Sequence, residues 1–238
     1  MMKKFFLLSM LCTTIFLTGC IKVETDLTIN KDGSAVVKER VMLSKQLIAL
    51  SKKQDPFQDA IQKYKDEPSM KVSKYEEGDM QGIEATKTIK NLADDKWNTS
   101  PDTDKIKSKN PDGKFVSVQK GFFKDTYTID AEINTIDQNQ QKGLPSASNM
   151  NNTMANDVDP NDFFKVNYII KTPVKPESHN ATTANETENI YTWQLKLNTI
   201  NTIKMKFTVF HTANITGTII LGLILCMIIF GLVYKPKA

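Results

Sequence analysis

The stretch Ile21–Leu43, IKVETDLTINKDGSAVVKERVML, decides how the fold of this chain is interpreted. Apolar and polar residues alternate from Ile21 to Ile29, which is the period of a strand with one buried face. Residues 30–34, Asn-Lys-Asp-Gly-Ser, have turn chemistry because glycine reaches positive φ without strain. A second strand, Ala35–Leu43, follows the turn. The stretch therefore predicts an antiparallel hairpin.

The strand pattern recurs along the chain up to residue 209. We therefore predict an α+β fold class, with an antiparallel β-sheet built from hairpins and one bent helix packed on it. In the last part of the chain, the strand that contains Trp193 is predicted to form a hairpin with the strand after it. The further strands are predicted over residues 70–76, 82–90, 115–120, 122–133, 164–170, 191–197 and 203–209.

Residues 44–65 form the predicted helix, because apolar residues recur there every three or four positions. Pro56 divides it, since Asp55-Pro56 resembles a new N-cap followed by a proline in the first helical turn. We expect two short helices with a bend, whose apolar stripe packs on the sheet. The alternative is that the stripe closes a lipid-binding groove or lies on a membrane.

The N-terminus has the pattern of a bacterial lipoprotein signal. Lys3 and Lys4 precede a short apolar run, and Leu-Thr-Gly-Cys ends at Cys20. The small Gly19 fits the peptidase that cuts between Gly19 and Cys20. We therefore predict that residues 1–19 are removed and that the Cys20 thiol is lipidated, with acyl chains such as palmitate.

The C-terminus ends in an uncharged run, Ile215–Tyr234, before Lys235 and Lys237. A helix of about 20 apolar residues crosses a bilayer core, so this run predicts one transmembrane helix. Basic residues stay on the cytoplasmic side, which predicts a cytoplasmic tail at 235–238. The domain at 20–214 would then lie on the extracytoplasmic face of the cytoplasmic membrane.

Charge and cysteine content narrow the functional classes. Between Cys20 and Ile215 the acidic and basic residues balance, and Arg40 is the single arginine of the chain. A nucleic-acid function would need concentrated positive charge, so no nucleic-acid partner is expected. Residues 21–214 contain no cysteine, so a hydrophobic core and not a disulfide must stabilise the domain. Residues 137–162 are rich in Asn, Gln and Ser, which predicts a polar loop within it.

Two parts of the sequence carry a resemblance to a known family. Cys20 followed by an alternating strand and Asn30-Lys31-Asp32-Gly33-Ser34 resembles the opening of LppM-like bacterial lipoproteins. Ile190-Tyr191-Thr192-Trp193-Gln194-Leu195 resembles the end of that domain. The resemblance covers about residues 20–234 and implies an envelope lipoprotein with an α+β domain. It implies no catalytic residue.

The sequence contains no recognisable catalytic or metal-binding motif. His179 and His211 are the two histidines, and neither has a Cys or His at metal-ligand spacing. The adjacent acids Glu76-Glu77 and Asp94-Asp95 are interpreted as solvated surface residues. We therefore predict no catalytic residues, no cofactor and no metal.

Three functional hypotheses follow. The first is a non-enzymatic envelope lipoprotein that binds or organises an envelope component, with the bilayer and a lipid or envelope protein as partners. Its lipid-binding form requires an apolar pocket between helix 44–65 and the sheet. The second is a carboxylate-based hydrolase of envelope polymers, which requires two acids converging in a cleft. The third is an accessory subunit of a membrane signalling complex.

Substituting Cys20 tests the lipidation. In a bacterial host grown with labelled palmitate, the wild-type chain is expected to incorporate label. Cys20→Ala is expected to incorporate none and to retain residues 1–19, because the thiol is the acceptor. Cys226→Ala is the matched control. Equal labelling of wild type and Cys20→Ala would contradict the prediction.

Overall fold

The computed structural model describes residues 19–50, 56–58, 61–62, 69–99, 106–135 and 160–233. These residues form two stacked β-sheets with short helices at their edges and a longer helix at the C-terminal end. The predicted signal segment up to residue 18 and most of the predicted polar loop 137–162 lie outside the described residues.

The larger sheet has seven strands in the order β10-β11-β8-β1-β2-β4-β3. Its centre is the predicted hairpin, in which Ile21 lies opposite Leu43 and Ile29 opposite Ala35. β1 also pairs with β8 in parallel, and all other pairs in this sheet are antiparallel. Its strands are β1 Ile21–Ile29, β2 Ala35–Ser44, β3 Met70–Glu77, β4 Met80–Ile89, β8 Phe164–Lys171, β10 Thr183–Asn185 and β11 Ile190–Leu195.

The smaller sheet has five strands and is antiparallel. Its strands are β5 Ile106–Ser108, β6 Val116–Gln119, β7 Lys124–Asn134, β9 Ser178–His179 and β12 Ile200–Phe210. The helices are α1 Lys45–Leu50, α2 Lys96–Thr99, α3 Pro160–Phe163 and α4 Thr212–Val233, with a 3₁₀ turn at Leu92–Asp94.

The main core lies between the two sheets. Leu27 and Ile170 of the larger sheet belong to one buried cluster with Ile129 and Phe207 of the smaller sheet. Burial of these alternating apolar faces is the main source of stability for such a sandwich. Asn98 is fully buried beside the core, where its amide group donates to the carbonyls of Leu92 and Val116 and accepts from Val116 N–H.

The predicted α+β fold class is wrong, because the described chain is mostly β and has two sheets. The predicted hairpin after Trp193 is also wrong. β11 belongs to the seven-stranded sheet, whereas β12 belongs to the other sheet. The chain crosses between them at residues 196–199, where Asn198 has a φ of 57°. Period-two alternation shows only that a strand has one buried face. Strands of either of two facing sheets have this pattern, so it does not show which sheet a strand joins.

The described residues cover the predicted bent helix only in part. α1 spans Lys45–Leu50, and Ser44 Oγ accepts a hydrogen bond from Leu47 N–H in its first turn. Most of the second predicted helix lies outside the described residues. Its described members Phe57 and Ile61 pack on the sheet with Leu47, so the predicted packing of the apolar stripe is confirmed for these residues.

The predicted transmembrane helix over 215–234 is wrong. No helix within the described residues is long and apolar enough to cross a bilayer. α4 starts at Thr212, and polar residues continue up to Thr218. The predicted cytoplasmic tail at 235–238 loses its basis with that helix.

A charged network lies on the face of the larger sheet that points away from the core. Arg40 Nε donates to Glu84 Oε2 at 2.8 Å, and Arg40 Nη1 lies 3.6 Å from Glu24 Oε2. Arg40 also lies over the Tyr75 ring, 5.0 Å from its centroid.

The network shifts the pKa values of two carboxyl groups. Although burial acts in the opposite direction, the Arg40 hydrogen bond and the nearby Lys38 charge leave the pKa of Glu84 below its ordinary value. Burial raises the pKa of Asp26.

Substituting Glu84 and Asp26 separately is expected to give opposite results. Because the pKa of Glu84 is lowered on folding, its ionised form stabilises the native state above the ordinary carboxyl pKa, and this stabilisation is lost as pH falls. Glu84→Gln is therefore expected to lower the free energy of unfolding at pH 7 by about 1–3 kcal/mol and to approach wild type in acid. The raised pKa of Asp26 means that its charge opposes folding at pH 7.

Asp26→Asn is the matched control and is expected to leave stability at pH 7 unchanged or higher. Urea denaturation at pH 7 and below pH 4 measures both variants. Equal destabilisation by the two substitutions at pH 7 would show that the Arg40 hydrogen bond does not distinguish these carboxylates.

Candidate functional site

One cavity lies between α1, the described residues Pro56, Phe57 and Ile61, and the strands β3 and β4, and we call it the helix cavity. Its volume is about 180 Å³. Four of its lining side chains are large and apolar. Its lining residues are Ile48, Pro56, Phe57, Ile61, Lys74, Gln81, Gly82 and Ile83.

The walls of the helix cavity belong to a second buried cluster, separate from the main core. This cluster contains Ile21, Leu43, Phe57 and Ile83, with Ile48 and Ile61 packed against it. The cavity is open to solvent, and Lys74 and Gln81 line it beside the apolar side chains, which can contact an apolar group. The arrangement can therefore take an apolar ligand segment, and the lipid-binding form of the first hypothesis required a pocket at this place.

Gly82 shapes the floor of this cavity. It lies opposite Met42 in the β2–β4 pair. A Cβ at position 82 would collide with the carbonyl oxygen of Val41. Because backbone cannot move away as a flexible side chain can, glycine is required here for strand pairing and not only for the cavity.

Polar groups lie at the mouth of the helix cavity. Lys74 shares the inner side of β3 and lies opposite Ile83, and Lys74 is exposed. Gln81 is the other polar side chain in the lining. An apolar interior with a cation at its edge matches an amphiphile with an anionic head. Sequence reasoning missed Lys74, because alternation alone does not show which lysine borders a cavity.

A second cavity lies at the other end of the sheets, and we call it the tip cavity. Its volume is about 310 Å³, and the β1–β2 turn, the end of β4 and the segment between β6 and β7 surround it. Its lining residues are Asp32, Gly33, Lys90, Asn91, Ala93, Val118, Lys120, Gly121, Asp125, Tyr127 and His211.

Asp32 and Asp125 both line the tip cavity, which bears on the hydrolase hypothesis. Asp32 Oδ1 accepts from Ser34 N–H at 3.0 Å and from Ser34 Oγ at 2.7 Å, which lowers the pKa of Asp32. Asp125 accepts from Gly121 N–H and lies 3.2 Å from His211 Nε2. A glycosidase needs one carboxyl with a raised pKa as its general acid. A lowered pKa at Asp32 does not suit it for that role.

The predicted lipidation site lies at the helix-cavity end. Cys20 is half-buried immediately before β1, and its carbonyl accepts from Ser44 N–H at 2.8 Å. Gly19 has a φ of 79°, and its N–H donates to the carbonyl of Asp162 at 2.9 Å. Cleavage between Gly19 and Cys20 and lipidation of Cys20 stay predictions.

The remaining residues that the sequence singled out lie apart from one another. The ring of His179 packs at a tilt against that of Tyr191, with centroids 4.6 Å apart, whereas His211 lines the tip cavity. Asp95 pairs with Lys87, and Glu76 and Glu77 pair with lysines at the strand surface. Across the described ranges, no group of three or more His, Cys, Asp or Glu residues could hold a metal ion.

The fold defines a two-sheet β domain with one cavity at each end of the sheets, and the helix cavity has four large apolar side chains in its lining. Among solved structures, it is similar to the NMR structure of the folded domain of the Mycobacterium tuberculosis LppM protein. The TM-score is 0.44 and the identity 13%, over 84% of this chain and 95% of that chain. This likeness is distant. The neighbour bears the name of the family that parts of the sequence resemble. No protein-family model matches the chain, and no curated protein matches it.

Proposed function

We propose that this protein is a non-enzymatic envelope lipoprotein whose domain binds the acyl chain of an anionic lipid in the helix cavity. The observation that supports this proposal most directly is the cavity between α1, Phe57 and Ile83, because four large apolar side chains line it. It lies where lipid binding required a pocket, between the predicted helix and the sheet.

The size of the helix cavity limits the ligand. Its volume of about 180 Å³ exceeds the ~150 Å³ of an apolar cavity that holds benzene. It is below the ~300 Å³ at which drug-sized ligand pockets begin. The cavity therefore suits part of one acyl chain and not a whole lipid, so the rest of the ligand lies outside.

Lys74 supports an anionic head group. An acyl chain between Ile48 and Ile83 would place its polar end near Lys74 at the cavity mouth. An ammonium on a flexible stem can follow a carboxylate or a phosphate. The ligand class is therefore a fatty acid or an acidic phospholipid.

The location of the cavity supports access from a membrane. α1 begins at Lys45, directly after Ser44, and Ser44 N–H bonds to the Cys20 carbonyl. Acyl chains on Cys20 would hold this end of the domain at the bilayer surface.

Filling the cavity tests the proposal. A diazirine-bearing fatty acid, photoactivated with the full chain, is expected to label peptides that contain Phe57 or Ile83. Ile48→Trp is expected to abolish most of this labelling, because the indole occupies the space of the chain. Peptide mapping by mass spectrometry measures the label.

Leu50→Trp is the matched control, since Leu50 lies on the same helix and is 81% exposed. It is expected to label as wild type does. Circular dichroism checks that both variants fold. Labelling that is equal in Ile48→Trp and Leu50→Trp would overturn acyl-chain binding in this cavity.

A further inference from the structure

A pair of exposed phenylalanines projects beside the tip cavity. Phe122 is 67% exposed and Phe123 is 44% exposed, and their rings meet edge to face with centroids 4.9 Å apart. Phe210, at the end of β12, is 61% exposed. Burying each such ring is worth about 1.5–3 kcal/mol, so a cluster of three exposed rings indicates a surface that another phase or molecule covers.

The backbone holds this aromatic cluster in a defined position. Asn214 Nδ2 donates to the carbonyl of Phe122 at 2.7 Å, and His211 N–H donates to the carbonyl of Phe123 at 2.8 Å. Gly121 N–H donates to Asp125 Oδ1 at 3.1 Å. These hydrogen bonds fix the backbone from which the two rings project.

A second exposed apolar surface lies on α4, beyond the mostly polar residues 211–218. The helix begins two residues after Phe210, and its large apolar side chains described between Ile219 and Ile228 are exposed. Their exposed faces are not confined to one side of the helix.

Positive charge lies next to the aromatic cluster. Lys90 and Lys120 are exposed at the tip cavity, and neither ammonium forms a hydrogen bond or an ion pair among the described residues. Two acids also line this cavity: Asp125 Oδ2 lies 3.2 Å from His211 Nε2, and Asp32 accepts a hydrogen bond from Ser34. Unpaired lysines beside apolar rings match a lipid surface with anionic head groups. Near such a surface, each lysine contributes about 1 kcal/mol to the free energy of membrane binding.

We propose that the tip of the domain docks on an anionic bilayer surface. Phe122, Phe123 and Phe210 enter the boundary between head groups and acyl chains, and Lys90 and Lys120 bind a lipid phosphate at the mouth of the tip cavity. This docking is independent of acyl-chain binding, because the helix cavity lies at the opposite end of the sheets.

Fluorescence quenching in reconstituted vesicles tests the docking. The full chain with Phe122→Trp is placed in phosphatidylcholine vesicles that contain brominated phosphatidylglycerol. Bromine quenches a nearby indole, so quenching well above that of wild type is expected. Ser73→Trp, an exposed position on the edge strand β3, is the matched control and is expected to show no added quenching.

The lysines are tested in the same experiment. Lys90→Gln combined with Lys120→Gln is expected to weaken docking of the Phe122→Trp chain. The ratio of docked to undocked chain is expected to fall by about fivefold for each lysine removed. Vesicles of brominated phosphatidylcholine alone are expected to quench it less. These surface changes leave the core intact, which circular dichroism checks.

Two results would overturn the docking proposal. Quenching of Phe122→Trp no greater than that of Ser73→Trp would place the tip away from the bilayer. Equal quenching in the presence and absence of phosphatidylglycerol, unchanged by the lysine substitutions, would exclude recognition of the head-group phosphate. Neither result bears on labelling of the helix cavity.

Discussion

The structure depends on the burial of two apolar sheet faces against each other. Each sheet alone would expose a row of large side chains, and stacking removes both rows from water together. Tyr168 of the larger sheet illustrates the contact, since its ring centroid lies 5.3 Å from that of Phe115 beside the smaller sheet. Within the larger sheet, the N-terminal part of the chain pairs with the C-terminal part through β1 and β8. These strands run parallel, with Val23 opposite Val166.

The face of the larger sheet that points away from the core contains a buried charge. Glu24 is only 6% exposed there, and a buried carboxylate is costly without partners. Lys22 and Arg40 supply opposite charges, and Asn167 donates a hydrogen bond. Charged side chains can therefore occupy the centre of this sheet without weakening the strand pairing that the two cavities require.

The two proposed lipid contacts lie at opposite ends of the same strand. Cys20 precedes β1, and the turn at Asp32 and Gly33 follows it. Nine residues of extended strand cover about 30 Å. A domain held at Cys20 and docked through Phe122 on one bilayer would therefore lie with its strands along the membrane and not upright on it.

The sequence by itself determined the local elements. The hairpin of β1 and β2, its turn at Gly33 with a φ of 81°, and the buried alternation of β12 all follow from residue periods and turn chemistry. The packing of Leu47, Phe57 and Ile61 on the sheet was also predictable, because the apolar stripe there had to be buried. Tertiary structure alone decided that β11 and β12 enter different sheets and that β8 runs parallel to β1. It also decided that Lys74 borders one cavity and that His211 meets Asp125 at the other. Local patterns record whether a side chain is buried, whereas the partner that buries it is chosen by pairing between segments far apart in the chain.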